Sequence, residues 1–509
     1  MRVKNVDIET GALVVLINAA DAMSQGIHAG DRVIVRSSNK TGIAIVNISE
    51  AMKKGTIGFT KDMRSELIVK DGTDVTLITM PMPKSLISIR NRLNNVRLDA
   101  QSAYEIVKDT VTKRLDKEEI TAFVISLHEY PIDLEEAAYI SEAMVKTGET
   151  LKLNRKRIFD KHSIGGVPGD KTSMLVVPIV AAAGLTIPKT SSRAITSAAG
   201  TADRAEVLMP VALDVNEVKR VVEKTNGCLV WGGAVHLAPA DDIFVKIEYP
   251  FSIDPLMLPS IISKKKAVGA TDMVLDVPVG ATMKIKNNQE GMTLIKEFNV
   301  IGKKLGIKIE GALTNGTQPI GYNVGAAAEA KEVLEAITGR TKAIDLIDKA
   351  TSIAGILLGM AGKKNGKQLA KSIIEKGLAE KKLRQIIEEQ GGDPKVKAGD
   401  IRLGEHEESI YAERDGTVLG FDNIAVANAV KLAGAPSNKQ AALVLAKKLF
   451  DKVKKGDLLF TLYSESAPLL SSAIKYVHEN QPVIIGNTNK MLIRHIKIKN
   501  IQEQFILER

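Results

Sequence analysis

The sequence predicts a multidomain α/β protein, and three observations carry that prediction. At 509 residues the chain is too long for one ordinary hydrophobic core. Short strand-like runs fill residues 1–84, and helical spacing takes over after them. From about 158, strand-like and helix-like runs alternate, the pattern of an α/β sheet whose loops gather at strand ends. The expected division is a β-rich domain at 1–84 and a helical domain at 85–155, with part of 250–270 packed on it. An α/β domain at 156–400 and a C-terminal α+β domain at 401–509 complete it.

Each element has a local reason. GALVVLINAAD, AGDRVIVRS, KTGIAIVNIS and DVTLITM read as strands separated by Gly-Asp and Lys-Thr-Gly turns, a small closed β unit that resembles double-psi barrels. PMPKS (81–85) reads as a linker. Two to three helices are expected over about 85–150. One buries Ala103, Ile106, Val107, Thr110 and Val111 on a single face. Asp116 with Glu119 caps the next, and Asp133 and Gly148 bound the last. Further on, KTSMLVVPIVAAAG, VNEVKRVVEKTNG and SIISKKKAVG read as helices, and CLVWGG, DIFVKIEY and DMVLDVPVG as strands. Helices fill about 325–390, and YAERDGTVLG and VKKGDLLFTLYS have strand-turn-strand character.

Composition narrows the function. The net charge is +10, but the lysines interleave with acids, so the balance favours anionic ligands without identifying one. Aromatics are 4 % with a single Trp231, which disfavours the stacking grooves that bind single-stranded nucleic acid. Cys228 is the only cysteine, so no intrachain disulfide can form and a reducing compartment is expected. The first apolar run is too short for a secretory signal or a membrane span, so a cytoplasmic protein is expected. The seven histidines show no metal-ligand spacing, and no metal is expected.

Two loops carry the chemistry. In KHSIGGVPGDKTS (161–173), Gly165, Gly166 and Gly169 let the backbone turn sharply, and a helix starting near Lys171 would aim its N–H groups at a ligand. Lys161 and Lys171 add charge; Ser163, Thr172 and Ser173 add hydroxyl donors. The run is neither a Walker loop nor a dinucleotide fingerprint, and it reads as an oxyanion cradle. SSRAITSAAGTAD (191–203) is dense in hydroxyls around Arg193, which suits a phosphate monoester or a ribose. A Ser/Thr capping cluster is the plainer alternative for that run.

These motifs resemble one family. KHSIGGVPGDK is similar to the KHSTGGVGDK signature of thymidine and pyrimidine-nucleoside phosphorylases. LAPADD (237–242), SIISKKKAVGATDMVLDVPVG (260–280) and TNGTQPIGYNVGAAAEAKEVLEAITG (314–339) match further signatures in order. The inserted proline in GGVPG, the SRAITSAAGTAD loop and the added N-terminal domain resemble the branch of archaeal AMP phosphorylases. The pyrimidine enzymes present an arginine after LAPAD, whereas this chain reads IFVKIEYPF, which turns the preference away from pyrimidine nucleosides.

The resemblance implies a nucleoside-phosphorylase fold and phosphorolysis of nucleoside 5′-monophosphates: AMP and phosphate would give adenine and ribose 1,5-bisphosphate, with CMP and UMP as further substrates. It implies that Lys161, Ser163, Ser173 and Thr201 hold the attacking phosphate. Gly166, Ser192, Arg193, Ala194, Ile195, Thr196, Ser197, Thr201, Ser260 and Lys284 would form the nucleotide site. Asp254, in the motif SIDP, would protonate the leaving base, with His162 as the competing acid and a turn or helix cap as the plainer role for Asp254. Lys264 matches a base-contacting lysine, although a surface role in its KKK run stands beside that match. No cofactor beyond co-substrate phosphate is implied. A homodimer or larger oligomer follows from the family's C-terminal domain, and an archaeal RuBisCO route would consume the product. The alternatives are a pyrimidine-nucleoside phosphorylase and a non-catalytic nucleotide- or RNA-binding protein.

Overall fold

The computed structural model describes residues 1–38, 40–194 and 197–487, and the chain divides into two compact units. Unit 1 holds Met1–Thr147 and Ala240–Leu256; unit 2 holds Gly148–Pro239 and the chain from Met257 onward.

Unit 1 begins with a six-stranded mixed sheet in the order Arg2–Asn5, Thr56–Phe59, Val14–Ile17, Thr41–Ile48, Arg32–Arg36, Thr76–Thr79. Its edges meet: Arg2 bridges Asp74, and the Val75 amide donates to the Met1 oxygen at 2.8 Å. The sheet closes on itself, which removes the open edges that invite pairing with other chains. Val33 and Val35 on one strand, and Ala44 and Val46 on its neighbour, alternate into a core with Phe59 and Met63. Arg2–Asn5 and Thr56–Phe59 lie outside the four runs read as strands from the sequence.

Four helices follow, Lys84–Leu93, Ala100–Val111, Lys117–Glu129 and Leu134–Lys146, more than the two or three expected. The first begins directly after Pro83, inside the stretch that reads as a linker. Ala103, Ile106, Val107 and Thr110 are buried on one face, as their spacing predicts. Asp116 and Asp133 each sit in a capping box, with Glu119 and Glu136. Glu119 also takes both Arg32 guanidinium nitrogens at 2.7 Å, joining the barrel to the helices.

DIFVKIEY is a correction: it belongs to the helix Pro239–Phe251, not to a strand. Its apparent alternation hides a helical face in which Ala240, Phe244 and Ile247 pack on the core around Phe123.

Unit 2 is built on parallel strands. Phe159–Ser163 and Lys308–Asn315 flank Asp272–Val279, and Ile187–Ser191 pairs with Gly227–Trp231. The Phe159 amide donates to the Thr186 oxygen at 2.8 Å, so the two ladders adjoin. Helices Thr172–Ala182, Ile344–Met360 and Leu378–Glu389 pack their Leu, Ile and Val side chains into the main core. A second core lies among antiparallel strands between 406 and 486, with helices Asn423–Leu432 and Ala467–Asn480. Among the described residues no helix is long and apolar enough to cross a membrane.

Candidate functional site

The first loop leaves the C-terminal end of strand Phe159–Ser163, where parallel α/β sheets gather ligands. Gly165, Gly166 and Gly169 all have positive φ (84°, 94° and 73°), as a tight cradle requires. A Cβ on Gly169 would lie 2.6 Å from the Ile320 oxygen and 2.9 Å from that of Asn323. The helix Thr172–Ala182 begins where expected, with Ser173 buried in its first turn. Its Thr172 amide donates to Asp170 at 3.2 Å.

Lys171 departs from the expected role. It is fully buried, donates to the backbone oxygens of Ile320 and Asn323 at 2.8 and 3.0 Å, and pairs with Glu332. Its charge holds the 320–332 segment against the loop instead of entering the cradle.

Beneath the cradle lies a cluster of buried charges. Lys161 and Lys349 share one oxygen of Asp276, at 3.1 and 3.0 Å, and Lys349 also reaches Asp170 at 3.3 Å. Lys265 sits 2.8 Å and Lys189 3.9 Å from Asp160. Ser163 donates to Asp170 at 3.3 Å. Four lysines therefore face three carboxylates. Burial alone would raise the Asp170 carboxyl, but the charges of Lys349 and Lys161 and the Thr172 hydrogen bond bring it well below the usual range. Burial pushes Lys189 well down, and the Lys265 charge adds to that against the pull of Asp160. His162 is pushed down by burial and then by Lys265, Lys189, Lys161 and Lys264, so its imidazole is neutral near pH 7.

The second loop is folded on its own acids. Arg193 takes both oxygens of Glu206, at 2.6 and 2.7 Å, reaches Asp203 at 3.2 Å, and stacks 4.9 Å over the Trp231 ring. Asp203 accepts the Ala194 and Gly200 amides at 2.7 and 2.8 Å, which closes the loop. Ser192 is exposed, and Ser197 is half-buried and donates to the Ala199 oxygen. Thr201 opens the short helix Thr201–Glu206. Ile195 and Thr196 lie outside the described residues.

Arg204 connects the two loops. It donates to the backbone oxygens of Asp170 and Ala199 at 2.6 and 2.8 Å and pairs with buried Glu329. Gly166 faces Met283, whose Sδ would lie 3.6 Å from an added Cβ, and the exposed Lys284 follows on that loop. Ser260 lies on helix Met257–Ala267, which also carries Lys264 and Lys265. Of the KKK run, Lys265 is buried, Lys264 half-buried and Lys266 exposed. Asp254 belongs to unit 1, exposed in the turn after helix Pro239–Phe251, where Ser252 takes a φ of 54°.

The sequence reading missed Asp160, Asp276, Lys189, Lys265, Lys349, Arg204 and Glu206. A signal existed for the acids, since a carboxylate inside an apolar strand such as DMVLDVPV demands a buried cation.

Residues 155–380 match the model of the glycosyl transferase family, a/b domain. An AMP phosphorylase of Thermofilum pendens is 44% identical over 100% of both chains. Those of Thermococcus sibiricus and Pyrococcus furiosus are each 46% identical, over 95% and 97% of this chain and 97% and 99% of theirs. The anthranilate phosphoribosyltransferase of Thermus thermophilus, 18% identical, superposes with a TM-score of 0.51 over 60% of this chain and 99% of its own, a likeness of fold. At this identity over the full length, the chain belongs to the AMP phosphorylase family of glycosyltransferases.

Proposed function

We propose that the protein catalyses the phosphorolysis of AMP, releasing adenine and α-D-ribose 1,5-bisphosphate, with CMP and UMP as further substrates. The observation that carries the reading is the pair of centres built on cationic side chains, the lysine cluster under the first loop and Arg193, balanced by its acids, on the second, joined through Arg204. A substrate with phosphate arriving at one end of a ribose and a phosphate already on the other calls for two such centres.

In this reading Lys161, Ser163, Ser173 and Thr201 hold the attacking phosphate. Gly166, Ser192 to Ser197, Thr201, Ser260 and Lys284 hold the nucleotide, with Arg193 at its 5′-phosphate. Asp254 is the acid that protonates the departing base, and the depressed imidazole of His162 weakens the competing candidate near pH 7. Phosphate is the co-substrate and no other cofactor takes part. The enzyme works in the cytoplasm as a homodimer or larger assembly, and its bisphosphate product enters nucleotide breakdown that feeds RuBisCO.

The test is release of free adenine from AMP with and without phosphate. Release that ignores added phosphate contradicts the proposal.

A further inference from the structure

Lys439, from the loop before strand Ala442–Leu445, donates to the Glu206 oxygen that Arg193 also uses. Its own backbone oxygen accepts the Ala327 amide at 2.9 Å, so the loop is pinned where it delivers the charge. Two cations, Arg193 and Lys439, thus converge on one carboxylate, and both side chains remain about one-third exposed, at 35% and 36%. Asp203 supplies the second acid, and the four charges sum to zero. Glu206 is held down to about 2, first by its hydrogen bond from Arg193 and next, against burial, by that from Lys439.

We infer that Lys439 is a specificity-determining residue for a phosphorylated nucleoside, acting through Glu206 on Arg193. This rests on the reading of loop 191–203 as the nucleotide site. Without Lys439 the cluster keeps two carboxylates against one guanidinium and carries a net negative charge, which repels a 5′-phosphate and leaves an unphosphorylated nucleoside indifferent. With Lys439 present, Glu206 fixes the guanidinium over Trp231 while its own charge is offset.

The experiment compares the full chain with Lys439→Met and Lys439→Arg by calorimetric titration of AMP and of adenosine, and by steady-state KM for AMP and for phosphate. Lys439→Met is expected to weaken AMP about tenfold and to leave adenosine affinity and the KM for phosphate within about twofold. Lys439→Arg is expected to restore most of the AMP affinity. Equal losses for AMP and adenosine, no loss for either, or failure of the arginine to rescue would overturn the inference. If the wild-type protein shows no phosphate-dependent turnover, the functional reading falls. The titrations still decide the role of Lys439, because equal AMP affinity in wild type and Lys439→Met overturns it.

Discussion

The guanidinium of Arg204 donates to the backbone oxygen of Asp170 at 2.6 Å, and that bond fastens the second anion loop to the first. The same side chain holds the Ala199 oxygen and the buried carboxylate of Glu329, so one cation sets the spacing of both loops.

Arg204→Met leaves Glu329 buried without its partner and is expected to destabilise the protein by about 3–5 kcal/mol in urea unfolding. Arg204→Lys keeps the charge but cannot span three acceptors, so it should fold and raise the KM for phosphate and for AMP together. Normal KM values for both in Arg204→Lys would show that the loops are held apart from this residue.

The glycines of the first loop separate backbone freedom from space. Gly165→Ala, at φ 84° with nothing within 4 Å, should cost only the left-handed backbone penalty of about 1 kcal/mol. Gly169→Ala adds a clash with two carbonyl oxygens and should lose clearly more, on the order of 3 kcal/mol or above. Thermal unfolding of the two variants checks the order, and equal losses would contradict the geometry.

Phosphate binding should take up protons. The unliganded site depresses both His162 and Lys189 through burial and lysine charge. A bound anion offsets that charge, raises both groups and draws a proton in, so the uptake shrinks as pH falls into the range where the free groups are already protonated. Calorimetry in buffers of different ionisation enthalpy measures it. Proton release at pH 7–8 from the protein groups, after correction for phosphate's own titration, would contradict the sign. His162→Asn should reduce the uptake.

Asp254→Asn should reduce turnover of AMP by about 10²–10⁴-fold while leaving AMP affinity close to wild type, because the carboxyl is assigned to proton transfer and not to binding. Initial rates and a binding titration on one preparation separate the two effects. Near-normal turnover would move the role to another group.

What the sequence made legible follows from how local each feature is. The cradle could be read because its glycines, Lys161 and hydroxyls lie in one short run, and the caps at Asp116 and Asp133 because each is settled within four residues. Lys171 looked like a ligand because its partner Glu332 and the oxygens of Ile320 and Asn323 arrive only through the tertiary fold. Asp160, Asp276, Lys265 and Lys349 come from separate strands and helices, so their cluster has no local spacing to read. DIFVKIEY failed for another reason: its alternation and its helical face fit the same letters, and packing against Phe123 decided for the helix.

The most direct test of the account is phosphorus NMR of the reaction of AMP with inorganic phosphate. The account predicts that inorganic phosphate is consumed in step with adenine release. The sugar product then carries two phosphorus atoms, one on C5 and one on the anomeric carbon. A product with phosphorus only on C5, formed without loss of inorganic phosphate, would mean hydrolysis and would contradict it.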